Sequence, residues 1–122
     1  MEGPMVKLAG LKCGAATLIA KQYYGVMLDG NGDVIVCAAQ GVRGIGILLN
    51  KPAVGEAAEV AVLGQVPFSA SVITAIAAAM TNEAGGQMMP AAGGDYVWGF
   101  CQIAAGAINQ EGTMILAPQG VL

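Results

Sequence analysis

Cys13, Cys37 and Cys101 are the strongest nucleophiles in this sequence, and no histidine accompanies them. A catalytic thiol needs a neighbouring base to become thiolate at neutral pH, so these three read as buried small hydrophobes. No two share a C-x-x-C spacing, which removes a zinc knuckle and a paired disulfide framework, although a single disulfide stays open. The carboxylates Asp29, Asp33, Glu56, Glu59, Glu83, Asp95 and Glu111 fall mostly in stretches that read as turns, where turn chemistry explains them. A two-carboxylate glycosidase would need one of them buried, and the pattern marks none. The residues therefore predict no enzyme and no cofactor.

Two short motifs carry a sharper chemistry that the spacing does not sustain. D-G-N-G-D, from Asp29 to Asp33, places carboxylates at positions one and five, as a calcium loop does. It lacks the later bidentate Glu and sits between predicted strands, so a hairpin turn is the better reading and no metal is expected. Gly44 and Gly46 open like a dinucleotide fingerprint, but position 49 is Leu and no helix pattern follows. Glycine inside an apolar strand marks instead a bulge or a close approach of backbones.

The elements that must position these residues read as short strands. Charged residues are 11% of the 122, against about 25% in ordinary soluble domains. The apolar share is 56%. A monomer so poor in charge would expose broad apolar patches, which usually mark protein interfaces, so an oligomer or an assembly subunit is expected. The net charge of −3 argues against direct nucleic-acid binding. No apolar run reaches the roughly 20 residues that span a bilayer, and the N-terminus does not match a secretory signal, so no membrane is expected and synthesis is placed inside the cell.

Residues 1–17 read as an extended arm whose Met5, Val6, Leu8 and Leu11, with Lys7 and Lys12, suit addition to a neighbouring sheet edge. Residues 18–122 read as one β domain. Strands flank the 29–32 turn, then follow at 44–49 and 57–63, where the face bearing Ala58, Val60 and Val62 is the expected core side. A connector at 65–71 contains Pro67, which should bar a central ladder position. Alanine propensity favours a short helix over 72–78. An internal repeat of about 19–66 and 73–122 argues for strand over 77–81 instead, since a shift of 54 lays Met80 on Val26, Glu83 on Asp29 and Gly86 on Gly32. One deletion then brings Gly99 onto Gly46, and a longer loop brings Gly112 onto Gly55. Strands at 96–103 and 113–117 close the chain. The fold class is all-β, a small sandwich or partly open barrel of two similar halves.

Laid out this way, the sequence resembles the capsid cement, or head decoration, proteins of tailed phages, which have a small β-tulip or β-sandwich fold. The resemblance runs from Leu18 to Leu116 and rests on D-G-N-G-D, G-I-G-I-L-L-N-K-P, G-E-A-A-E-V-A-V-L-G, D-Y-V-W-G-F and G-T-M-I-L. It implies a structural virion protein on the outer surface of an icosahedral head, a homotrimer that binds the major capsid protein and stabilises the lattice against internal DNA pressure. The arm residues become candidate capsid or neighbour contacts, and Phe68, Trp98 and Phe100 candidate trimer or core aromatics. The competing reading is a glycine-rich binding module of a virion, taking host or glycan ligands at a fibre tip.

Overall fold

Asp29 builds the first turn of the ladder. In the computed structural model, which describes residues 5–72, 74–107 and 109–121, its Oδ1 accepts the N–H groups of Asn31 (2.8 Å) and Asp33 (3.0 Å). Gly32 then closes the turn with φ 78°, a left-handed conformation that glycine adopts without steric cost. This hairpin joins β2 (Gly25–Leu28) to β3 (Val34–Val36). Its counterpart joins β6 (Ala79–Asn82) to β7 (Met88–Pro90), with Glu83 N–H donating to Gln87 O at 2.8 Å and Gly86 at φ 99°.

The remaining strands are β1 (Met5–Lys12), β4 (Gly46–Leu48), β5 (Ala57–Ser69), β8 (Tyr96–Ile103) and β9 (Glu111–Val121). All nine described strands form one antiparallel sheet in the order β3-β2-β4-β5-β9-β8-β6-β7, with β1 on β5 beside that path. The protein is all-β, and the described residues contain no helix.

Pairing registers show the same unit twice. Val26 pairs with Val36 and with Gly46; adding 54 to the first pair gives Met80 and Pro90, and Met80 pairs with Gly99. Ile47 opposite Ala61 corresponds to Phe100 opposite Ile115. Lys12 and Leu11 oppose Ala57 and Ala58, while Ser69 and Phe68 oppose Glu111 and Gly112, which again stand 54 after Ala57 and Ala58, although Ser69 and Phe68 follow Lys12 and Leu11 by 57. The end of β5 thus stands to the second unit as β1 stands to the first. One long strand serves both units, and β1 is an integral first strand. Gly112 takes the place of Ala58 in this register, not that of Gly55, because the offset holds through β9.

Two hydrophobic cores follow. Val26, Val34, Leu48 and Val60 line the smaller one, closed by Cys13 and Leu18. Their counterparts Met80, Met88, Cys101 and Met114 line the larger one, together with Phe68, Trp98 and Leu116. The larger core is capped by Cys37, Ile47 and Ala61, from the opposite face of the first unit. The first unit is therefore covered on both sides. This is why Ala61, on the strand face expected to be exposed, is wholly buried along with the Val60 face.

Two local expectations give way to tertiary structure. Pro67 lies inside β5, opposite Thr113. Ser69, two residues on, donates its N–H to Tyr23 O at the opposite edge (3.0 Å). The missing N–H of Pro67 faces that same edge, beyond the end of β4, where no ladder requires it. The alanine-rich 72–78 stretch, of which Ile73 lies outside the described residues, is an irregular connection. Ala77 has φ 69° and donates its N–H to Cys101 O at 2.7 Å, as Tyr23, also at φ 69°, donates to Leu48 O at 2.7 Å. A left-handed residue held by a long-range bond ends any helix there.

Candidate interaction surface

Glycine sets how closely the central strands pack. A Cβ on Gly46 would strike the carbonyl of Ala61, and one on Gly99 the carbonyl of Ile115, so each unit needs glycine where its fourth strand meets its last. Gly44 and Gly25 likewise leave room for the Trp98 ring, whose Nε1–H donates to Val42 O at 3.0 Å. Trp98 and Phe68 are buried in the larger core, and only Phe100 of the three candidate aromatics reaches the surface.

Phe100 does so as half of a cross-strand pair. It opposes Ile115, which in turn opposes Gln65, so the three side chains form a row across β8, β9 and β5 on the outer face of the sheet. Phe100 is 40% exposed and Ile115 44%. Gln65 Nε2 donates to Gln102 Oε1 at 2.9 Å along the same face. Farther along β5, Leu63 opposes Val6 of β1, both exposed. The row contains no charged residue. Of its members the sequence pointed to Val6 and Phe100; Ile115, Leu63 and the two glutamines emerge only once strand register is known.

The arm residues lie on β1, paired with β5 of the same chain. Val6, Lys7, Leu8 and Lys12 are exposed, while Met5 packs against the larger core and Leu11 against the smaller. A surface cleft of about 290 Å³ lies between the two units and is lined by Gln22, Tyr24 and Lys51 from one side and Ser69, Asn109 and Glu111 from the other. A second cleft of about 280 Å³ is lined by Lys12, Cys13, Asp29 and Asp33. The D-G-N-G-D carboxylate Asp29 spends one oxygen on its own turn, and no cluster of three or more metal-ligating side chains occurs among the described residues.

All three cysteines are buried and free. Burial pushes the Cys37 thiol up to about 12 and raises that of Cys13 as well, so both stay protonated at neutral pH.

The sequence matches no family model and no curated protein. Among solved structures, the fold is similar to the N base of head fiber gp8.5 in bacteriophage phi29, with a TM-score of 0.71 and 14% identity over 98% of each chain.

Proposed function

We propose that this protein is a structural component of a tailed-phage virion, a capsid cement or decoration protein. In this reading it seats as a homotrimer on the outside of the icosahedral head and binds the major capsid protein. The observation that carries the reading is the likeness of fold, along nearly the whole of both chains, to a phage head fiber base. The sequence motifs from Leu18 to Leu116 support it independently, as does a surface poor in charge. No cofactor, nucleic acid, membrane or catalysis enters this role.

The mechanism is thermodynamic linkage. A ligand that binds the mature lattice and not its ruptured form stabilises that lattice in proportion to its occupancy. Many equivalent contacts add avidity. Lys7 and Lys12, exposed on β1 beside Leu8, are the contacts proposed for the capsid, because they place two of the five cations of an acidic chain on one edge strand. The test is co-purification with virus heads in a fixed ratio to the major capsid protein. Lys7→Glu with Lys12→Glu should lower head occupancy without altering the circular dichroism spectrum. Heads that carry none of the protein would refute the assignment.

The description of the structural neighbour as a head fiber base favours one second reading, a host- or glycan-binding module of such a fibre. Selective retention on a glycan array, with no affinity for heads, would favour it over the cement role.

A further inference from the structure

The two units build one stretch of backbone twice and furnish it differently. Tyr23 and Ala77 share one φ and one N–H bond to the strand opposite, and Leu48 and Cys101 return the same bond, to Tyr24 O and Ala78 O, each at 2.9 Å. By that register Gln22, Tyr24 and Lys51 stand where the second unit carries Ile76, Ala78 and Ala104. The backbone thus forms without an amide, a phenol or a cation at these positions, and the fold does not require them in the first unit. They gather instead on one side of the cleft of about 290 Å³ between the units, across from Ser69, Asn109 and Glu111.

Internal hydrogen bonds decide which end each amide presents. Gln22 Nε2 donates to Leu49 O at 2.9 Å, which leaves its Oε1, an acceptor, as the open end. On the other side Gln87 Nε2 donates to Asn109 Oδ1 (2.7 Å), Ser69 Oγ (3.1 Å) and Ala70 O (3.2 Å). A carbonyl only accepts, so the Gln87 group among these three is its NH2, and Asn109 keeps its own NH2 as the open end. A left-handed backbone, φ 64°, and an N–H bond to Ala70 O at 2.8 Å fix Asn109 further. Ser69 is only 7% exposed, and its backbone N–H donates to Tyr23 O at 3.0 Å, which ties one side of the cleft to the other. The walls are set before a ligand arrives, so little ordering cost opposes binding.

We propose that this cleft binds one ring of a neutral carbohydrate. The groups held in place are uncharged, an acceptor on one wall and a donor on the other, beside a hydroxyl and a phenol that can each do both. Sugar hydroxyls donate and accept in the same way, so neighbouring hydroxyls of one ring can bridge the walls. Lys51 and Glu111 add one charge of each sign, both exposed, and so select neither an anion nor a cation. The volume stands at the low end of ligand pockets, which suits a single ring. The proposal deepens the glycan-binding reading by placing the ligand, and rests on that reading for where such a ligand would come from.

Amide NMR spectra of the full chain, titrated with glucose, galactose or N-acetylglucosamine, test it. The side-chain amide of Asn109 and the backbone amides of Gln22, Tyr24 and Ser69 should shift together, with a dissociation constant on the order of 1 mM for the best ring. Asn109→Asp keeps the bond to Gln87 but loses the open NH2, and should weaken binding at least about tenfold. Gln22→Met, close in shape, should do the same should the aspartate disturb folding. Lys51→Ala should change affinity by less than about threefold, and Asn31→Ala, in the other cleft, should leave it unchanged. No shift with any of the three sugars, an Asn109→Asp variant that binds as wild type does, or tighter binding of the zwitterion glycine betaine would overturn the proposal. Glycan-array retention that Asn109→Asp leaves intact would remove the cleft and keep the glycan reading. Sugar shifts at the cleft, in a protein that no array glycan retains, would uphold the cleft and remove that reading.

Discussion

The first and second units share a ladder, a turn and a glycine contact, yet they differ in what lies on either side of their sheets. In the first, Leu48 and Val60 face one core while Ile47 and Ala61 face the other. In the second, Cys101 and Met114 face a core while Phe100 and Ile115 face solvent. Backbone register alone does not decide whether a position is core or surface. The stacking of one unit on the other decides it, and stacking is polar in the sense that it joins the Ile47–Ala61 face of the first unit to the Cys101–Met114 face of the second and leaves the equivalent Phe100–Ile115 face of the second free.

Substitutions at equivalent positions should expose this asymmetry, and the largest effect is expected at Ile47. Ile47→Lys puts an unpaired charge into the larger core and should abolish cooperative folding, whereas Phe100→Lys should shift stability by no more than about 0.5 kcal/mol, the range of ordinary surface changes. Thermal denaturation of the two variants in parallel checks the contrast, provided Phe100→Lys is compared at a concentration where wild type is dissociated. Equal losses would mean that the outer face is part of the monomer's core. Gly46→Ala and Gly99→Ala test the symmetric part of the comparison. Each forces a methyl group against a carbonyl, and both should cost about 3 kcal/mol or more in denaturant unfolding.

A third pair separates the cores by size. Phe68→Ala, in the larger core, should cost about 3–5 kcal/mol. Leu11→Ala, at the equivalent place in the smaller core and only partly buried, should fall below the roughly 2 kcal/mol floor for fully buried leucines. The smallest effect concerns pH. The folded-state pKa of Cys37 is raised by burial to about 12, above the roughly 8.5 of an unfolded chain. Its contribution is therefore complete below about pH 8.5 and is lost as pH rises toward 12. Melting temperature should decline with a steeper slope in wild type than in Cys37→Ala over that window, and identical slopes would contradict the assigned burial.

Much of the ladder was legible from residues. D-G-N-G carries its own turn chemistry, and the spacing of Val26, Gly32 and Gly46 against Met80, Gly86 and Gly99 fixed the strand pattern strongly enough to override alanine propensity before Ala79. The β8 bounds, Tyr96–Ile103, coincide with the strand read at 96–103 from the repeat that lays Gly99 on Gly46. The extent of β5 did not follow, because Pro67 is tolerated only where a neighbouring edge is free, and that depends on the antiparallel β4 beginning only at Gly46. The interaction surface was the least legible part. Phe100 could be singled out as aromatic, but its exposure and its partners Ile115 and Gln65 depend on cross-strand register and on which unit stacks on which, neither of which any single stretch of sequence encodes.

The claim that stacking, and not register, decides which of two equivalent faces is core is tested most directly by thiol accessibility at Ile115→Cys beside Ile47→Cys. The three native cysteines are buried, so an added thiol at either position reports almost alone. The Ile115→Cys thiol should be modified at least about tenfold faster than the Ile47→Cys thiol in the folded protein, as expected for a group open to solvent against one that reacts only when the core opens. Equal rates at the two positions would show that the two faces are covered alike and would contradict the account.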